Sequence, residues 1–219
     1  MNFFVLSDYQ ENISSSNIPY IRTWCEAWAV DRMNGPCERC PLCGRPVSMR
    51  KWESPRRIRL SSGRCPDHLV HWLNEPLIVS EAFFHAYAKS DLTGIRAFHE
   101  IQVVPNGRKK ENVQGSVTYF LADVSFTDHV TLDTKATVMH GQKRDWSCAT
   151  CNPFGMTCDR IERIALNTTQ WDGSDVFRLY TGGTICTSRF CDFVQKNKFT
   201  NFCFVPIEEY SWHSETQMG

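Results

Sequence analysis

Short apolar runs, bounded by polar or glycine-containing turns, recur along the chain and predict many strands. Two longer segments are similar: "LIVSEAFFHAYAKSDLTGIRAFHEI" begins at Leu77, and "TICTSRFCDFVQKNKFTNFCFVPI" begins at Thr184. They align without gaps at an offset of 107 residues. Each has a β-branched run, an amphipathic stretch and a second apolar run. The internal match predicts an α+β fold with two similar β-α-β pieces around a mixed sheet.

Both segments carry helix boundary signals at equivalent positions. Ser80 aligns with Thr187, and a hydroxyl residue at that place can cap a helix N-terminus. Gly94 aligns with Asn201, and both residue types suit a left-handed C-terminal cap. We therefore expect two helices that end near Gly94 and Asn201.

Length and charge narrow the class of protein. The 219 residues suffice for one large core, and we predict a single domain over 1–219. Lys+Arg and Asp+Glu number 24 each, so no global field favours nucleic acid or a membrane. No apolar run approaches the roughly 18 residues that span a bilayer. The start "MNFFVLSDYQ" has no cationic region and too short an apolar run for a signal peptide. We expect a cytoplasmic protein without a membrane partner.

Eleven cysteines are the main chemical feature of the chain. In a reducing compartment, paired CxxC spacings favour metal ligands over disulfides. Cys40-Pro41-Leu42-Cys43-Gly44 has the form of a zinc knuckle, in which a glycine with positive φ closes the turn. Cys148-Ala149-Thr150-Cys151-Asn152 is the natural second half, because Asn readily replaces Gly at positive φ. Cys40, Cys43, Cys148 and Cys151 are the predicted ligands of one structural zinc ion (Zn2+).

This zinc-ribbon-like site would join distant segments. It defines an embedded knuckle subdomain, in which about 37–70 packs against about 140–160. Other ligand sets remain open. Cys37 can replace Cys40, and "RCPDHLVHW" offers Cys65 and His68 as partners for the first knuckle. Cys25, Cys186, Cys191 and Cys203 lie among apolar or aromatic residues and are expected to be core thiols.

The zinc site is predicted to be structural, because four thiolates leave no open coordination position. The chain has no HExxH, GxSxG, P-loop or GxGxxG motif. We therefore predict that the protein is not an enzyme.

A basic stretch at 45–64 follows the first knuckle and includes Arg50, Arg56, Arg57 and Arg59. It is either a solvated hairpin face or a docking surface for an acidic partner. With the knuckles, it also allows a zinc-ribbon nucleic-acid-binding or regulatory module as the alternative function. The neutral total charge argues against that alternative.

The order of these features resembles the double-CXXCG motif family described from myxobacteria. The resemblance covers roughly 37–210. It places the first motif on Cys40, Cys43 and Gly44, and the second on Cys148 and Cys151. Its late segment matches Phe177, Arg178, Ser188, Arg189 and Phe190. The family includes Sit-type immunity proteins, which protect a cell from a toxin delivered by its siblings. The resemblance implies an immunity (antitoxin) protein whose partner is a cognate toxin domain.

Overall fold

A computed structural model describes residues 2–7, 26–31, 35–60, 65–71, 77–104, 118–127, 129–180 and 183–213. Its elements in the first half of the chain are β1 (Phe3–Leu6), β2 (Glu26–Ala29), β3 (Cys37–Arg39), β4 (Pro46–Arg50), β5 (Arg57–Leu60), β6 (His68–His71), β7 (Leu77–Ser80), α1 (Glu81–Tyr87) and β8 (Ile95–Val103).

Those of the second half are β9 (Tyr119–Val124), β10 (Phe126–Thr127), β11 (Thr131–Leu132), β12 (Val138–His140), β13 (Arg160–Arg163), β14 (Leu166–Asn167), β15 (Val176–Leu179), β16 (Thr184–Thr187), α2 (Ser188–Lys196), β17 (Phe204–Pro206) and β18 (Trp212–His213).

The fold is rich in sheet, as predicted, but it is not built around one mixed sheet. Six strands form a closed sheet in the order β2-β5-β8-β9-β7-β6, and five others form an open sheet in the order β10-β15-β16-β1-β17. The strands that flank each helix are not neighbours. β9 lies between β7 and β8, and β1 lies between β16 and β17. The predicted arrangement of two β-α-β pieces is therefore wrong, because an antiparallel strand from elsewhere in the chain separates each pair.

The helices begin where the sequence predicts. Ser80 caps α1, and its hydroxyl oxygen accepts a hydrogen bond from the Phe83 N–H at 3.2 Å. Thr187 occupies the same position before α2, but its hydroxyl donates to Asp175 instead of capping. No helix in the described part of the chain is both long enough and apolar enough to cross a membrane.

The helices end earlier than predicted. α1 ends at Tyr87 and α2 at Lys196, each followed by a right-handed capping residue. Gly94 and Asn201 do have positive φ, at 112° and 69°, but they lie beyond the helices, at the start of the returning chain. At Gly94 the chain passes so close to the Val176 carbonyl oxygen that a Cβ would clash with it. Asn201 takes the equivalent place beside His68, and its amide donates to the His68 carbonyl oxygen at 2.8 Å.

The two halves of the chain share a hairpin of the same register. His68 pairs with Val79 and Leu69 with Ile78 in the β6–β7 hairpin. Val176 pairs with Cys186 and Phe177 with Ile185 in the β15–β16 hairpin. Each hairpin leads directly into a helix. The offset between the copies is 108 residues in the first strand and 107 in the second.

Two aspartates connect the halves reciprocally. The Asp67 carboxylate accepts hydrogen bonds from the Thr200 N–H at 2.9 Å and from the Ser80 hydroxyl at 2.7 Å. The Asp175 carboxylate accepts from the Thr93 N–H at 3.1 Å and from the Thr187 hydroxyl at 2.9 Å. Each aspartate thus binds the hydroxyl before the helix of its own half and the backbone of the other half.

The main core lies between the helices and both sheets. Phe83 of α1 and Phe190 of α2 hold equivalent positions, are fully buried, and have ring centroids 6.1 Å apart. Phe202 stacks on Phe83 at 5.3 Å. Cys186, Cys191 and Cys203 are buried, which confirms them as core thiols, whereas Cys25 lies outside the described residues. Aromatic contacts therefore bind the two halves into one core.

Gly94→Ala should destabilise the protein more than Gly173→Ala. Both glycines have positive φ, so each alanine costs about 1–2 kcal/mol in backbone strain. An alanine Cβ at position 94 would also clash with the Val176 backbone, whereas one at position 173 would face open space. We expect the additional clash to cost about 1–3 kcal/mol more, as measured by urea unfolding. Equal effects of the two substitutions would contradict the close approach.

Asp67→Asn and Asp175→Asn should each lower the free energy of unfolding by about 1–3 kcal/mol, because each removes charged hydrogen bonds between the halves. Asp175→Asn should cost more, since Asp175 is 1% exposed and also pairs with Arg189 at 3.2 Å. Asp192→Asn on the exposed face of α2 is the matched control, with an expected change within about 0.5 kcal/mol. Urea unfolding of the three variants tests the order.

Candidate metal centre

The two CxxC doublets meet in space. The sulfur atoms of Cys40, Cys43, Cys148 and Cys151 all lie within 4.8 Å of one another. The closest contacts cross between the doublets: Cys40 Sγ is 3.7 Å from Cys148 Sγ, and Cys43 Sγ is 3.6 Å from Cys151 Sγ. Four sulfurs at about 2.3 Å from a tetrahedral ion would be about 3.8 Å apart, so the cluster fits a metal ion.

The first knuckle is a tight turn held by its backbone. The Gly44 N–H donates to the Cys40 carbonyl oxygen at 2.9 Å, and the Cys40 N–H donates to the Arg45 carbonyl oxygen at 2.8 Å. Gly44 has a φ of 71°, as the sequence predicts. The turn closes the β3–β4 hairpin and directs both thiols to the same side.

The second knuckle reaches the same shape differently. The Asn152 N–H donates to the Cys148 carbonyl oxygen at 2.9 Å, which repeats the bond made by Gly44. The expectation that Asn152 adopts positive φ is wrong. Its buried side chain fixes the loop instead: the amide donates to the Trp146 carbonyl oxygen at 3.2 Å, and Oδ1 accepts from the Met156 N–H at 3.3 Å. Asn152 therefore acts through hydrogen bonds rather than through backbone freedom.

The backbone around Cys148 favours a thiolate. Burial opposes ionisation, but the N–H groups of Cys151 and Thr150 and the thiols of Cys43 and Cys151 lower the Cys148 pKa to about 6. Metal ions bind thiolates and not thiols, so this side chain is prepared for coordination.

The surroundings shield one side of the cluster. Cys40 and Cys148 are 2% and 6% exposed, whereas Cys43 lies at the surface. Trp146 precedes the second knuckle, and the centre of its ring lies 4.1 Å from the guanidinium of Arg45 in the first knuckle. Arg144 lies 5.8 Å from the same ring. The contact between Arg45 and Trp146 adds a second connection between the knuckles.

The alternative ligands lie elsewhere. In the described part of the chain, the four cysteines are the group of potential ligands whose donor atoms converge. His68 is buried, stacks on Phe202 and donates from Nδ1 to the Asn201 carbonyl oxygen at 2.9 Å. Cys65 is exposed, and Cys37 lies on β3, half-buried. His68 thus connects the two halves as a hydrogen-bonding core residue.

The four candidate arginines have different local environments. Arg50 and Arg56 line a cavity beside β8 and β9. Arg57 forms an ion pair with Asp31, and Arg59 is exposed on β5 between the buried Ile58 and Leu60.

The reciprocal Asp67 and Asp175 contacts were not predicted. The sequence did contain a signal, because these two aspartates are separated by the same 108 residues as the paired cysteines. The alignment that begins at Leu77 omits them. If the alignment is extended towards the N-terminus with a shift of one residue, it matches Asp67 with Asp175 and the first cysteine doublet with the second.

No family model matches the chain, and no curated protein matches it either. The resemblance to the double-CXXCG motif family therefore remains a prediction from the order of motifs.

We expect protein purified without added metal to contain about one metal ion per chain, measured by mass spectrometry of the elements. Cys148→Ser should lose the ion and lower the melting temperature, because ligand loss removes binding energy that stabilises the fold. Cys65→Ser and Cys37→Ser are the matched controls and should retain the ion. Retention in Cys148→Ser, combined with loss in Cys65→Ser, would instead support the alternative ligands.

Proposed function

We propose that the protein binds one structural zinc ion through Cys40, Cys43, Cys148 and Cys151. Tetrahedral coordination by four thiolates is the usual donor set of structural zinc. The ligands come from two segments that are 108 residues apart, so the ion closes a long loop. A reducing compartment such as the cytoplasm keeps these thiols available for the metal.

We further propose that this zinc-stabilised protein is an immunity protein that neutralises a cognate bacterial toxin by binding it. The observation that carries the proposal is the order of segments that resembles the double-CXXCG motif family. The four-thiol cluster supports it, because the motif cysteines of both doublets converge in one site. Such a site has a scaffold role and needs no catalytic group.

The surface near the knuckles suits a protein partner. Leu42 at the tip of the first knuckle is 64% exposed. Arg45 and Trp146 lie close by, and these residue types are frequent energetic anchors in protein interfaces. A metal ion in the cluster would hold the tip rigidly, which would reduce the entropy lost on binding.

The nucleic-acid alternative receives less support from the charges. Within the basic stretch, Arg57 pairs with Asp31, and Lys51 pairs with Glu38 at 2.7 Å. Cations that are neutralised by neighbouring carboxylates contribute little to phosphate binding. A protein partner is therefore the better proposal.

Co-expression with the toxin domain encoded by the neighbouring gene tests this function. We expect restored growth and co-purification of the two proteins at both low and high salt. Leu42→Asp should weaken rescue by about tenfold or more because it places charge in the interface, and it should retain the metal. Lys135→Asp, at an exposed site in the turn after β11, is the matched control. If neither rescue nor co-purification occurs with the wild-type chain, the proposal fails.

A further inference from the structure

A charged cavity of about 400 Å3 lies between the first knuckle hairpin and strands β8 and β9. Its lining includes Glu38, Arg50, Arg56, Arg96, His99 and Asp123. The volume falls in the range of small-molecule sites. None of these side chains belongs to the metal cluster.

The second half has a cavity beside its own knuckle, and one wall of that cavity corresponds to a wall of the first. A smaller cavity of about 230 Å3 follows the second knuckle and is lined by Met156, Cys158, Ile161 and Ile164. At the 108-residue offset of the knuckles, these residues correspond in order to Ser48, Arg50, Glu53 and Arg56 of the first cavity. At these four positions the first cavity has two arginines and a glutamate, and the second has apolar side chains and a thiol. The opposite walls do not correspond, because Leu132, Met139 and Leu179 close the second cavity and residues of β8 and β9 close the first.

The cations of the first cavity exceed its acids. Five arginines and lysines face three carboxylates, and two of the carboxylates are already engaged. Glu38 binds Lys51 at 2.7 Å and Arg96 at 3.7 Å, and Asp123 binds Arg96 at 2.7 Å. The Arg50 side chain has neither an ion pair nor a hydrogen bond within the described residues, although its backbone belongs to β4. Arg50, Arg56 and Arg178 then face one remaining carboxylate, Glu53, so the cavity keeps a positive charge.

Arg56 is held in place within the cavity. Its Nε donates to the Trp52 carbonyl oxygen at 2.6 Å, which fixes the side chain. Burial lowers the Arg56 pKa, and Glu53 opposes that shift. Burial, together with the charges of Arg56 and Lys51, also lowers the His99 pKa against the opposing effect of Asp123, so its ring is neutral near pH 7. A bound anion would pair with the Arg56 charge and offset the free-energy cost of its desolvation.

We propose that this cavity binds a small organic oxyanion, whose phosphate or carboxylate group lies between Arg50 and Arg56. Guanidinium groups match the planar, bidentate geometry of both anions. Leu121 and Val124 on β9 give the cavity an apolar wall for the remainder of the ligand. This site is separate from the proposed toxin-binding function and does not depend on it.

Calorimetric titration at low salt with inorganic phosphate, AMP and citrate tests the proposal. We expect saturable binding at one site per chain for at least one of these probes. Phosphate and AMP binding would identify a phosphate ligand, and citrate binding alone would identify a carboxylate ligand. Arg50→Gln with Arg56→Gln should weaken binding by about 10-fold to 100-fold, because charged hydrogen bonds are lost. The absence of saturable binding by all three probes would overturn the proposal.

Two further variants guard against nonspecific effects. Arg59→Gln on the outer face of β5 changes the net charge by the same amount per substitution and should leave binding unchanged. Ser48→Met with Arg56→Ile introduces the residues found at the same offset in the second cavity and should lose binding, with folding checked by circular dichroism. Equal weakening by Arg59→Gln would show a general charge effect and would contradict the site. Undiminished binding in the Ser48→Met, Arg56→Ile variant would contradict it as well.

Discussion

The convergence of four thiols from two distant doublets is the constraint on which the arrangement of the two halves depends. Thiolates repel one another, so four of them within 4.8 Å require a cation between them when they ionise. The contacts between Cys40 and Cys148 and between Cys43 and Cys151 cross from one half to the other. A metal ion at this place therefore stabilises the association of the halves as well as the turn of each knuckle.

The two halves are also interlocked by the path of the chain. β1 begins the chain but lies between β16 and β17 in the sheet of the second half. β9 holds the equivalent place between β7 and β8. Asp67 and Asp175 then bind backbone groups of the opposite half. Within the described residues, neither half completes its sheet or these hydrogen bonds alone.

Local chemistry was predicted well from the sequence, and long-range pairing was not. The four-cysteine group and the Ser80 cap follow from residue type and spacing. The insertion of β9 and β1 between the strands of each pair does not, because strand order is decided by contacts between residues far apart in the chain. The Asn152 loop shows the same limit. Asn152 was expected to adopt positive φ, but its side chain hydrogen-bonds two backbone groups and stabilises the loop without that conformation.

Residues at equivalent positions of the two halves show which features the fold requires. Positions 67 and 175 both hold aspartate, and both carboxylates accept a hydrogen bond from the hydroxyl before the helix, as a shared structural requirement predicts. Gly44 and Asn152 differ in chemistry but build the same turn, so the turn itself is the requirement. Arg56 and Ile164 share the same 108-residue offset and each lines a cavity, but the chain around them differs, because β13 precedes Ile164 and no strand immediately precedes Arg56. Partial burial of Arg56 disfavours its charged form, and a ligand anion beside it would offset that cost.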